Sequence, residues 1–173
     1  MDQVGQPPGN GDGGGKRRLR PEPTPAQRAL GLLVRREHSR KELRRKLEAR
    51  GVADDEAEVA IERMVEGGWQ DDRRFAISLA RMRAATAYGP LRIRAELGTH
   101  GLAAEVIEAA FVDLAESGDD DWLASARRLV GRRLGLAREG DLVQRRKAAE
   151  LLFRRGFGGD TVRAATAFDP DDD

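Results

Sequence analysis

The stretch YGPLRIRAELGTHGL, residues 88–102, repeats the plan of HSRKELRRKLEARGV, residues 38–52. In each, a helix-start signal precedes an apolar residue, a second apolar residue four later, a glycine four after that, and one more apolar residue behind it. Leu43, Leu47, Gly51 and Val52 recur fifty residues on as Ile93, Leu97, Gly101 and Leu102. They recur again, fifty-five further, as Ala148, Leu152, Gly156 and Phe157. Self-similarity at a fixed period of this size marks a tandem-repeat architecture. Three copies of one unit are therefore expected.

The agreement continues past the glycines. Ala57, Ala60, Ile61 and Met64 fall at i, i+3, i+4 and i+7, one apolar helical face, and the offset of fifty gives Ile107, Ala110, Phe111 and Leu114. In the third copy Val162 and Ala165 fit, whereas Thr166 and Asp169 break the face and Phe168 takes over part of it. A further helix precedes each hairpin, near residues 26–37 with Leu30, Leu33 and Val34, near 71–87 with Phe75, Leu79 and Met82, and near 120–135 with Trp122, Leu129 and Val130. Each unit is read as three helices, over residues 26–67, 68–118 and 119–168. The fold class is all-α: three tandem three-helix repeats in an elongated, curved right-handed or solenoid-like array.

The corners have local physical causes. Ser39 with Glu42 has the spacing of a capping box. Pro90 suits the first helical position, where its missing N–H is not needed. Gly51, Gly101 and Gly156 stand where a helix ends in a left-handed residue, which glycine adopts at least cost.

Composition bounds the chemistry. The 173 residues hold 31 basic and 30 acidic side chains and no cysteine, so disulfides and thiolate sites are excluded and a cytoplasmic location is expected. Residues 1–25 carry six glycines and five prolines with few apolar groups, a composition expected to remain a disordered tail; residues 169–173 form an acidic end. GNGDGGGK, ending at Lys16, is not a phosphate loop, because Arg17 follows the lysine and no strand precedes it. Only two histidines exist, His38 and His100, too few for a His-based metal site, and both are read as surface or capping residues. Asp54 with Asp55 and Asp71 with Asp72 sit at helix starts, where the macrodipole favours negative charge. No catalytic or metal-ligating residue and no cofactor is assigned.

The near-neutral total hides local imbalance. Residues 28–50 hold nine basic and three acidic side chains, residues 51–67 six acidic and one basic, and residues 127–155 ten basic and three acidic. Either these charges form inter-helix ion pairs on solvated faces, or the basic middle helices line up as a positive strip for phosphates or an acidic protein groove. A helix-turn-helix reading competes, but the helix after the turn is acidic in two units, which disfavours DNA recognition. A generic helical adaptor also competes, although the period near fifty does not match the 34-residue tetratricopeptide unit.

WQDDRRFAISLARMRAATAYGPLRIRAELGTHGL, residues 69–102, resembles the central signature of the RecX family, Asp-Asp-x-x-Phe-Ala followed by Gly-Pro-x-Arg-Ile-x-x-Glu-Leu-x-x-x-Gly. HSRKELRRKLEARGV resembles that family's first repeat and KAAELLFRRGF, residues 147–157, its third. Trp69-Gln70 and Ala148 depart from the usual pattern. The resemblance implies a non-catalytic bacterial modulator, usually an inhibitor, of the RecA recombinase. Such a protein would bind the RecA filament as a monomer, with possible direct contact to single-stranded or duplex DNA and no membrane. It also implies that Asp71, Asp72, Phe75, Gly89, Pro90, Ile93, Glu96, Leu97 and Gly101 are signature fold residues. On physical grounds the contact candidates are the basic positions Arg40, Lys41, Arg44, Arg45, Arg92, Arg94, Arg145, Arg146 and Lys147.

Overall fold

Ala, Leu, Arg and Glu dominate the chain between its tails, and such side chains lose little freedom in a helix. The computed structural model describes residues 22–135 and 141–167. These form α1 (Pro25–Leu33), α2 (Arg40–Glu48), α3 (Asp54–Glu66), α4 (Asp72–Ala85), α5 (Pro90–Thr99), α6 (Ala104–Glu116), α7 (Trp122–Leu134), α8 (Leu142–Arg155) and α9 (Gly159–Thr166), with no strand among the described residues. The readings made for Lys16, Phe168, Asp169 and most of the two tails lie outside them.

Each set of three helices closes on its own core. The first holds Leu43, Leu47, Ala57, Ala60, Ile61 and Met64. The second holds Phe75, Leu79, Ile93, Leu97, Ala110 and Leu114, the third Leu129, Leu152, Phe157 and Val162. The periodic residues of all three copies are thus buried. Truncating a fully buried leucine such as Leu47 or Leu97 in so small a core costs about 2–5 kcal/mol. The corner glycines take left-handed φ values of +77°, +70° and +84° at Gly51, Gly101 and Gly156.

Several assignments change. α1 ends at Leu33, four residues early, so Val34 becomes its C-cap and stands 74% exposed, while Ala29 and Leu32 are buried. Met82 is half exposed, because α4 packs through Ala76, Ala80 and Ala84, whose small side chains let α6 approach closely. Thr166 is buried after all; its hydroxyl donates to the Val162 carbonyl at 2.8 Å, which satisfies the polar group inside the helix. The Ser39 capping box forms only half. Ser39 Oγ accepts from the Glu42 N–H, but the Glu42 carboxylate turns away to Arg36. An unanticipated complete box stands at α1, between Thr24 and Gln27.

Candidate functional site

The middle helices α2, α5 and α8 carry the candidate contact residues, and the way they meet sets the geometry. Each begins where the next one ends. Ser39, the N-cap of α2, shares a 2.8 Å hydrogen bond with Nδ1 of His100, the C-cap of α5. Lys41 Nζ donates to the carbonyl of Thr99 at 2.8 Å. At the start of α5, the Gly89 N–H donates to Arg155 O at 2.8 Å and the Leu91 N–H to Gly156 O at 3.1 Å, both at the end of α8. Orphan amides at one helix start are thereby met by orphan carbonyls at another helix end, with opposite dipole ends facing. At 1.5 Å per residue the three helices measure about 14, 15 and 21 Å.

The signature residues build these junctions. Asp71 caps its own helix, accepting from the Arg73 and Arg74 N–H groups. Asp72 instead reaches the preceding unit, where Oδ1 accepts from the Arg40 N–H of α2 at 3.0 Å and from Gln70 Nε2 at 2.8 Å. Gln70, one of the departures from the family pattern, is buried and also donates to His38 O. Phe75 lies against the His100 ring with centroids 4.7 Å apart. Glu96 takes a bidentate pair from Arg83 at 2.6 and 2.7 Å, which holds its carboxyl below the usual range. Pro90 occupies the first turn of α5, Ile93 and Leu97 are fully buried, and Gly101 makes the left-handed corner.

The histidines are not surface residues. His38 is 3% exposed, and its Nδ1 lies 2.9 Å from Glu42 Oε2 but off the line a hydrogen bond needs. Burial pushes the His38 pKa below its ordinary value, outweighing the neighbouring carboxylate. Burial likewise lowers His100. For Glu42 burial acts upward, but the Arg36 and His38 contacts prevail and its pKa falls.

The basic candidates divide into three groups. Arg40 pairs with Glu58 and Glu62, Arg44 with Glu58, and Arg94 with Glu108, all from middle to third helix within one unit. Arg94 also lies 4.0 Å over the Phe111 ring. Lys41 is committed to the first junction, Arg145 reaches Ala167 O at 3.5 Å, and Arg146 lies 3.5 Å from Glu150. Arg45, Arg92 and Lys147 are exposed and make no ion pair or hydrogen bond among the described residues. The structure thus brings the nine onto helices that follow one another, but neutralises three within their own units. Arg44 with Glu58 and Arg94 with Glu108 share a spacing of 14 residues, a repeat of the same offset of fifty that the apolar positions show. Among the described residues no group of three or more His, Asp or Glu side chains could hold a metal ion.

Known proteins match this arrangement throughout. Residues 27–64, 71–110 and 119–166 match the first, second and third three-helix domains of RecX. Regulatory protein RecX of Stenotrophomonas maltophilia (strain R551-3) is 62% identical over 159 residues, covering 92% of this chain and 94% of that protein. The chain belongs to the RecX family. Regulatory protein RecX of Xanthomonas axonopodis pv. citri (strain 306) is 59% identical over 151 residues, 87% of this chain and 91% of that one. The crystal structure of RecX from Lactobacillus salivarius superposes with a TM-score of 0.63 at 20% identity, covering 82% of this chain and 91% of that chain. A second crystal structure, of a regulatory protein RecX, gives 0.66 at 20% identity, with 83% and 71% covered. At that identity the structures speak for the RecX fold: nine described helices in three tandem domains.

Proposed function

We propose that this member of a family of regulatory proteins is a non-catalytic inhibitor of the RecA recombinase. It binds the RecA filament on DNA and limits filament extension, strand exchange and ATP hydrolysis. The observation that carries the reading is RecX family membership over nearly the whole chain. The end-to-start succession of α2, α5 and α8 supports it, since a line of helices suits an extended surface better than a compact ligand. The contact residues are drawn from the nine basic positions, and Arg45, Arg92 and Lys147 carry the most weight because their charge is not spent inside the fold. The protein acts from the cytoplasm as a monomer. No described helix is long and apolar enough to cross a membrane.

The test is direct. Purified protein at up to near-stoichiometric amounts should lower DNA-dependent ATP hydrolysis by RecA and sediment with RecA filaments. Arg45→Ala with Arg92→Ala and Lys147→Ala should weaken both effects together. Unchanged hydrolysis with no co-sedimentation would overturn the reading.

A further inference from the structure

Charge balance sets the third unit apart. The pairs Arg44 with Glu58 and Arg94 with Glu108 tie the middle helix to the third helix in the first two units. The corresponding positions in the third are Ala149 and Arg163. The cation has become a buried methyl and the carboxylate a cation. Asp160, the acid in the first turn of α9, is taken by Arg163 itself. Helices α7 and α8 therefore keep their basic side chains with no acidic helix set against them.

Five of those cations, Arg128, Arg132, Arg133, Lys147 and Arg154, are exposed and have no ion pair or hydrogen bond among the described residues. Arg128 and Arg132, one turn apart on α7, line an open cleft of about 470 Å³ facing Ala85 and Ala87 of the second unit. Arg133, Lys147 and Arg154 line a groove of about 380 Å³ between α7 and α8. Because Arg132 and Arg133 are consecutive, the two depressions flank a single basic ridge. A cation in the last turn complements a helix dipole, but Arg128 and Lys147 lie outside the last turns and have no such role. Phe153, 48% exposed, stands beside Arg154.

We propose that this ridge binds the phosphodiester backbone of single-stranded nucleic acid without sequence preference, with Phe153 as a platform on which a base stacks. Guanidinium forks match phosphate oxygens bidentately. Open grooves suit a polymer that tracks along them, and an exposed aromatic among cations is the arrangement that holds unpaired bases irrespective of sequence. The paired arginines of the first two units take no part in it.

The experiment uses the full chain without RecA, and so reads this surface separately from the proposed RecA activity. Binding to a fluorescent oligothymidylate is followed by anisotropy over a salt series. Arg128→Ala, Arg132→Ala, Arg133→Ala and Lys147→Ala combined should lower affinity at low salt by about tenfold or more. The log–log salt slope should flatten by about 0.7 for each phosphate that the variant no longer neutralises. Phe153→Ala, an exposed change that spares the fold, should lower affinity several-fold and leave the slope unchanged. Arg44→Ala with Arg94→Ala should leave binding as it is. No binding at low salt, a combined variant that keeps its fold by circular dichroism and binds like the parent, or equal competition by polyglutamate would each overturn the proposal.

Discussion

The two junctions between units obey one docking rule with different chemistry. Ser39 and Gly89 are equivalent N-caps fifty residues apart, and His100 and Arg155 are equivalent positions at the following corner. Between the first and second units, contact runs mainly through side chains: Ser39 with His100, Lys41 with Thr99 O, Asp72 with the Arg40 amide, and Arg74 with Glu37. Between the second and third, backbone meets backbone at Gly89 and Leu91, and the apolar cores share Trp122 and draw in Ala87. A junction of side chains loses strength by increments and responds to protonation. One made of backbone depends on the absence of a Cβ.

Gly89→Val should break that contrast most severely. An added Cβ would stand 2.3 Å from Gly156 O, and the backbone there cannot yield. A loss of about 3 kcal/mol or more in chemical denaturation is expected. Gly156→Ala should come close, since its Cβ would lie 2.4 Å from Arg92 Cβ and its φ is +84°. The equivalent changes at the first junction are milder. Ser39→Ala removes a helix cap and the His100 partner, a loss of about 1–2 kcal/mol. Gly101→Ala meets only the flexible Lys41 Cδ at 3.8 Å, so only left-handed strain of about 1 kcal/mol remains.

Acid should sharpen the comparison further. His38 and His100 titrate below their ordinary value when folded, so the unfolded chain binds their protons more readily. Their contribution is complete above about pH 6.5, and it is lost as the pH falls below that value. Glu42 and Glu96, also lowered, add a further loss below the ordinary carboxylate range. Thermal denaturation should therefore show stability falling as the pH drops through the histidine range, and His100→Gln should flatten that fall. The groups facing the histidines here are Glu42, Glu96, Arg36, Lys41, Arg45 and Lys46. The second junction has no histidine, so Gly89→Val should shift the whole stability curve without changing its slope. Smallest of all, Arg44→Ala or Arg94→Ala should cost less than about 1 kcal/mol, being part-exposed pairs.

Much of the fold is legible in the sequence because it is local. Leu43, Leu47 and Gly51 announce a helix face and its end within one short stretch, and a copied stretch announces a copied unit. Periodicity misplaces the face of α4 at Met82 because hydrophobicity alone favours the larger side chain, whereas close helix packing favours Ala80 and Ala84. The role of Asp72 is hidden because its partner, the Arg40 amide, lies 32 residues away. Its helix-start position is visible; its reach into the preceding unit is not. The basic candidates are legible as cations, but not as paired or unpaired, since that depends on which carboxylate the fold brings opposite.

The sequence by itself determined the three-helix unit, its repetition and its corners, because helix periodicity and left-handed glycine are properties of neighbouring residues. Only the tertiary structure decided how the units dock, which arginines are neutralised and which histidine is buried. Those outcomes turn on contacts across as many as 69 residues of chain, as from Arg155 to Thr86 O, and on whether a Cβ fits between two backbones.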